Sequence, residues 1–275
     1  MLISMTEALQ RQRGCVVAFN FYNLESLSAV LKVAKRRGRI VAAALGERYL
    51  DHLSIPVAYA MAQSLSRELE LDFVLHLDHA GDIRHIKQAI QDGFTSVMYD
   101  GSSLPLEENI RNTLTVVRLA HSKGVSVEGE LGYLNDELGE EPAVHSGLGG
   151  FTQPQDAMRF CRETEVDLLA IAAGNAHGIY SKSPQLDFSR INDIAKSCKA
   201  PLVLHGCSGI PYLDLRQVIK LGIRKININT ELAVGAAQAA QRLLIEQNHV
   251  RFEKVVATAQ QAMEQIADQV LSQLE

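Results

Sequence analysis

The amino-acid sequence predicts an α/β fold, a single (β/α)8 TIM barrel with an amphipathic C-terminal helix, and three observations carry that prediction. Short apolar or β-branched runs alternate along the chain with longer segments of helical spacing. There are eight such runs, each apolar on both faces, as strands of a parallel sheet covered on both sides have to be. The length of 275 residues suits a barrel, which takes about 250. A doubly wound open sheet would alternate in the same way, and the count of strands alone does not exclude it. No Pro/Gly/Ser-rich linker, low-complexity tract or like-charge block interrupts the chain, so residues 1–275 are expected to form one domain.

Strand one is expected at residues 16–19. A helix over 24–37 follows, with Leu24, Leu27, Leu31 and Ala34 on one face and Gly38 as its C-terminal stop. Strand two, 40–44, leads to a helix over 57–70, where Ser54 suits an N-cap and Pro56 the first turn. Strand three spans 73–77 and its helix 83–92, ending at Gly93. Strand four, 96–99, precedes a helix over 107–122 with Gly124 beyond its end. Strand five is 125–127, and a long loop, 133–154, separates it from a helix over 155–165. Strands six and seven, 168–172 and 202–204, are followed by a helix over 212–221 and by strand eight, 225–228. Val255, Ala259, Ala262, Ile266, Val270 and Leu274 then recur at helical spacing, and this terminal helix is expected to pack on its own barrel.

Composition narrows the function. The net charge is −5, from 27 Lys+Arg and 32 Asp+Glu, which argues against a basic nucleic-acid-binding face. No apolar run approaches the ~18 residues of a membrane span. The segment Met1-Leu2-Ile3-Ser4-Met5-Thr6-Glu7 lacks the marks of a signal peptide, so a cytoplasmic protein is expected. Cys15, Cys161, Cys198 and Cys207 form no C-x-x-C pair, so neither disulfides nor a cysteine zinc site is expected.

Chemistry in such a barrel sits at the C-terminal ends of the strands. The polar residues there are Asn20, Asp78 with His79, Asp100, Glu128 with Glu130, Asn175, His177, His205 and Asn227. His79, His177 and His205 come from three different strand ends. Three imidazoles with one open position make a catalytic zinc site, whose ion acts as a Lewis acid on a carbonyl or phosphoryl oxygen. Asp78 is placed to be a ligand, an orienting partner or a proton-transfer group. His76 lies within a strand and reads as structural; His85, His121 and His249 fall in expected helices and His52 and His145 in loops, and none is given a role. Two segments look like anion cradles, His205-Gly206-Cys207-Ser208-Gly209 and Asn227-Ile228-Asn229-Thr230, after strands seven and eight where barrels bind phosphate. Neither G-x-G-x-x-G nor G-x-x-x-x-G-K-[ST] occurs.

These residues resemble a known family, the zinc-dependent class II ketose-bisphosphate aldolases (fructose- and tagatose-bisphosphate aldolases). The resemblance runs through Leu75-His76-Leu77-Asp78-His79, Val97-Met98-Tyr99-Asp100-Gly101-Ser102, Val125-Ser126-Val127-Glu128-Gly129-Glu130-Leu131-Gly132, Gly174-Asn175-Ala176-His177-Gly178-Ile179-Tyr180, Leu202 to Gly209 and Lys225-Ile226-Asn227-Ile228-Asn229-Thr230-Glu231. It implies a (β/α)8 barrel, zinc held by His79, His177 and His205, and Asp78 as the acid/base at the C4 oxygen of the ketose. Asp100 and Glu130 match positions that hold the metal in an alternative, more buried placement. Gly178, Gly206, Ser208, Asn227 and Thr230 match the part that holds dihydroxyacetone phosphate, with Cys207, Ile228 and Asn229 completing the two cradles. The implied reaction is reversible cleavage of a ketose 1-phosphate, a 1,6-bisphosphate or a ketose 1-phosphate with another anionic distal group. The implied partners are that sugar phosphate and further copies of the chain, as a dimer or tetramer.

The sequence departs from the family pattern at Cys207, usually Gly or Ala, at Asn175, often Thr, at the strand-two end Ala43-Ala44-Leu45-Gly46-Glu47-Arg48, and in lacking a Gly-rich tail. These departures bear on the aldehyde half, and Arg48 or Lys182 is expected to meet an anionic distal group. Glu137, Glu140 and Glu141 are the candidates for the C3 proton acceptor on the loop after strand five. A Schiff-base lysine is not expected, since strand six ends Ala172-Ala173-Gly174 and Lys225 opens strand eight at the opposite end. A zinc hydrolase would carry H-x-H where this chain has Phe19-Asn20-Phe21. A non-catalytic sugar-phosphate-binding subunit would not need Asp78. Three imidazoles also accept other divalent ions.

Overall fold

The computed structural model describes residues 1–132, 150–178, 180 and 184–274. Parallel strands β1 (Val16–Asn20), β2 (Val41–Gly46), β3 (Val74–Ala80), β4 (Ser96–Tyr99), β5 (Ser126–Leu131), β6 (Leu168–Ile171), β7 (Leu202–Leu204) and β8 (Ile223–Ile228) close into one barrel in chain order. β8 returns to β1, with Val17 opposite Ile226 and Phe19 opposite Ile228, which excludes the open doubly wound sheet. Outside run α1 (Met5–Arg11), α2 (Leu24–Arg37), α3 (Ile55–Glu68), α4 (Ile83–Asp92), α5 (Leu106–His121), α6 (Pro154–Thr164), α7 (Phe188–Ser197), α8 (Tyr212–Leu221), α9 (Thr230–Glu246) and α10 (Phe252–Gln273). No described helix is long and apolar enough to cross a membrane.

The strands follow the expected order, but β3 and β5 run past their expected ends to take in Asp78 and His79, and Glu128 and Glu130. Their inward side chains are polar there, so the apolar pattern stops while the backbone ladder continues, with Glu128 opposite Met98 and Glu130 opposite Ala170. Helices α1, α7 and α9 are additional to the expected set. Of the face expected to be buried on α2, Leu27, Leu31 and Ala34 are buried, joined by Val30 and Val33, whereas Leu24 is exposed at the first helical position. His249 lies in the turn between α9 and α10 rather than in a helix.

The core has two parts. One lies between sheet and helices, where residues such as Phe19, Leu45, Leu75 and Phe160 are fully buried. The other fills the barrel. Val16, Ala18, Ala42, Ala44, Val74, Leu168, Ala170 and Val203 point inward and meet Ile3, Met5, Ala8 and Leu9, so the N-terminal segment plugs the lower end. Ser4 caps α1 by accepting from the Glu7 amide, and Leu2 bridges to Phe73. Nearer the upper end the interior turns polar, and His76, Asp78, Ser96, Glu128, Glu130, His205, Lys225 and Asn227 are all buried. α10 packs on α9 and α2, as expected, burying Met263, Ala267, Val270 and Leu271. Its Asp268 accepts from Arg36 at 2.9 Å and from Arg37 at 2.6 and 3.0 Å.

Candidate metal centre

A regular strand would send Asp78 and His79 to opposite faces. In β3 the register against β4 slips between Leu77 and Ala80, and His79 has φ +50°, a left-handed conformation rare for a residue other than glycine. This bulge brings both side chains to the upper mouth of the barrel. There His79 Nε2 lies 2.9 Å from Nδ1 of His205, which follows β7. The ring of His177, on the loop after β6, is 4.8 Å from that of His79 and 6.0 Å from that of His205.

The three imidazoles offer nitrogens all within 4.8 Å of one another. Nitrogens around a tetrahedral zinc lie roughly 3.3 Å apart, so this donor set fits such an ion. A second metal-capable group shares His79 and adds Asp100 and Glu130. The expected metal residues are thus brought together, in two overlapping sets.

Other side chains hold these in place. His79 Nδ1 lies 2.9 Å from Asp100 Oδ2, while Asp100 Oδ1 accepts from the Ser102 amide and hydroxyl. His205 Nε2 lies 2.7 Å from Glu128 Oε1, and Lys225 Nζ donates to Glu128 Oε2 at 2.8 Å. Asp78 accepts from Asn20 Nδ2 at 2.9 Å and from Asn227 Nδ2 at 3.0 Å, one amide on each carboxylate oxygen. Asn227 Oδ1 and Glu130 Oε2 are buried with no hydrogen-bond partner among the described residues. His76 stands apart from both metal-capable groups, buried with Nδ1 2.9 Å from Ser96 Oγ.

Burial opposes the charge of Asp78, but His79, His205, Lys225 and His76 around it outweigh that and hold its carboxyl well below the usual range. Burial also opposes charge on His79, yet the carboxylates of Asp78, Asp100 and Glu130 push it up to about 10. His177 goes the other way, down to about 3, through burial and then the neighbouring His79 and His205. Burial and the nearby Asp100 raise Glu130 well above its ordinary value. His76 is pushed down to about 3 by burial and by Lys225, so it is neutral.

The two cradles lie side by side. Gly206 has φ +62°, and a Cβ there would overlap the Ala176 carbonyl, so the turn admits only glycine. Ser208 Oγ accepts from the amides of Asn229 and Glu231 and so caps the start of α9, which Thr230 opens. Gly178 has φ +96°. Cys207 is buried, its amide donates to Asn227 O and its thiol to Leu204 O, so it fastens one cradle to the other. Ile228 is buried among the sheet–helix core residues and offers the mouth only its backbone. Asn175 ties the loop after β6 to β7 through His205 O at 3.1 Å. Glu137, Glu140, Glu141, His145 and Lys182 lie outside the described residues.

Several contributors were not assigned from the sequence. Tyr180 Oη accepts from the Ala176 amide and lies 2.8 Å from the carbonyls of both Ala176 and Gly206, so its one hydrogen is shared between them and joins the His177 loop to the first cradle. Tyr22 and Tyr49 pack edge to face, 4.9 Å apart, and both hydrogen-bond the Asn229 side chain. Glu128 and Lys225 join the list, Lys225 buried inside the barrel rather than opening β8. The mouth encloses a cavity of about 660 Å3 whose wall includes Asp78, the three imidazoles, Arg48 and Asn229.

A family model described as fructose-bisphosphate aldolase class-II matches residues 2–275. The chain belongs to this family. Among solved structures, the YdjI aldolase of Escherichia coli is 31% identical, with a TM-score of 0.85 over 100% of this chain and 97% of that one. A putative fructose-1,6-bisphosphate aldolase of Coccidioides immitis is 26% identical, also with a TM-score of 0.85, over 98% and 93%. A fructose-bisphosphate aldolase of Campylobacter jejuni, at 19% identity and a TM-score of 0.81 over 99% and 95%, shares the fold. As a class II aldolase the chain carries two groups of side chains able to hold a metal ion.

Proposed function

We propose that this class II aldolase is a lyase that cleaves a ketose 1-phosphate, a 1,6-bisphosphate or a ketose 1-phosphate with another anionic distal group, reversibly, to dihydroxyacetone phosphate and an aldehyde. The observation that carries this reading is the carboxylate of Asp78, clamped by two amides, beside three imidazoles whose nitrogens fit one zinc ion. Bound there by His79, His177 and His205, the metal would supply Lewis-acid polarisation of the substrate ketone.

The chain's own residues do the rest. Asp78, ionised by its surroundings, takes the proton from the C4 hydroxyl as the C3–C4 bond breaks and the electron pair stays on C3. Asn227 presents its unpartnered Oδ1 as a hydrogen-bond acceptor for the substrate. The phosphate meets the turn of Gly206 and Ser208 and the start of α9, where a 17-residue helix turns its positive end outward. Anchoring a group that does not react positions the carbons that do. Arg48 lines the wall of the same cavity as His177, and its guanidinium is the cation we assign to the anionic distal group.

Release of dihydroxyacetone phosphate from a panel of ketose 1-phosphates, with and without a chelator, tests the proposal. The panel varies the distal group among phosphate, carboxylate, sulfonate and none. Chelator-sensitive cleavage of one member supports the reading and names the aldehyde. No cleavage by zinc-loaded protein across the panel counts against it.

A further inference from the structure

We infer that Glu128, held by Lys225, is a positioning residue for the metal centre: it fixes the tautomer and rotation of His205 so that Nδ1 is the nitrogen presented to the ion. The inference rests on the proposed three-imidazole site, to which Glu128 itself does not belong.

Glu128 and Lys225 are both fully buried. They come from β5 and β8, which are not neighbours in the sheet, so the pair reaches across the barrel interior. Each oxygen of Glu128 has its own partner, His205 Nε2 on Oε1 and Lys225 Nζ on Oε2. An ionised carboxylate can only accept, so the bond to Oε1 requires hydrogen on His205 Nε2, and the neutral imidazole leaves Nδ1 bare. That bare nitrogen is the one facing His79 Nε2. The other charged and titratable groups facing the pair are His76, whose Nε2 lies 3.9 Å from Glu128 Oε2, and Asp78 beyond it.

Packing alone does not call for these charges. Inward positions nearer the plug are filled by Val16, Ala42, Val74 and Leu168, and a buried ion pair can often be replaced by apolar side chains without loss of stability. What apolar side chains lack is an acceptor for Nε2. Asp100 behind His79 repeats the arrangement, so two of the three imidazoles have a carboxylate at the nitrogen turned away from the ion.

The test uses the whole chain in three forms: the parent, Glu128→Leu/Lys225→Met and Glu128→Gln/Lys225→Met. Zinc affinity is measured by competition with a chelator, and the His205 tautomer by nitrogen-15 NMR of the metal-free protein. The Leu variant is expected to bind zinc about 10–100-fold more weakly and to lose the single Nε2-protonated tautomer. The Gln variant, whose amide oxygen still accepts from Nε2, is expected to recover part of the affinity and the tautomer. A Leu variant within about two-fold of the parent, or an Nδ1-protonated His205 in the parent, would overturn the inference. The NMR measurement on the parent needs no variant to fold. Failure of the parent to bind zinc, or binding unaffected by His177→Ala, would instead overturn the site on which the inference rests.

Discussion

Asp78 has little freedom to rotate, because Asn20 holds one carboxylate oxygen and Asn227 the other. Asp78→Ala is expected to lower kcat by about 10²–10⁴-fold, the usual worth of a positioned proton-transfer group. Its zinc content should match the parent, since Asp78 belongs to neither metal-capable group. Metal lost along with turnover would assign Asp78 to ligation instead. Asp78, His79, His177 and His205 are legible in the sequence because each is a polar residue where an apolar run ends. Glu128 is legible only as a strand-end acid, since nothing local reveals the histidine it meets from β7. Lys225 reads as a strand opening because Arg224 precedes it, whereas the register shift of β8 against Leu202 and Val203 sets it inside the barrel. Tyr22 and Tyr49 leave no sequence signal, since their meeting at Asn229 depends on segments that follow three different strands, β1, β2 and β8.

Two elements pack on the barrel away from the site, α1 in its lower end and α10 outside it on α9 and α2, and each gives a measurable effect. Met5 of α1 is fully buried in the plug, so Met5→Ala is expected to cost about 2–5 kcal/mol in urea unfolding. A loss near zero would show that the plug merely covers the barrel end. In α10, Arg37 and then Arg36 hold the Asp268 carboxyl below its ordinary value. The folded value is depressed, so the tether contributes fully above the unfolded carboxylate range near pH ~4 and is lost progressively as pH falls from there through the lower folded value. Partial exposure and solvent screening limit it to about 1 kcal/mol. Asp268→Asn should therefore lower stability at neutral pH and converge with the parent in acid; curves that stay parallel would contradict the tether. Among the elements, the eight strands are legible because each contains a short apolar or β-branched run, although the inward faces of several carry polar side chains toward the mouth. α1 is too short for helical spacing to show, and α9 displays only a sparse stripe of Leu232, Ala236, Ala239 and Leu243, behind a start that resembles a loop.

At the scale of the whole molecule, a ligand that binds only the folded chain adds stability, about 2.7 kcal/mol at 100 times its Kd. Zinc is thus expected to raise Tm, and a chelator to lower it and abolish turnover until a divalent ion is restored. A Tm and turnover both indifferent to chelator would remove the metal from the proposal. The eightfold alternation of strand and helix is legible in the sequence, but the closure of the ring, decided by the pairing of β8 with β1, is not, and neither is the plug that seals it, since Ile3, Met5, Ala8 and Leu9 gain their purpose only from what lies above them. That seal makes the barrel a vessel with one opening. Among the described residues the lower half is filled with apolar side chains that offer water and hydronium no relay, so a proton taken by Asp78 would have to leave by the same mouth through which the substrate enters.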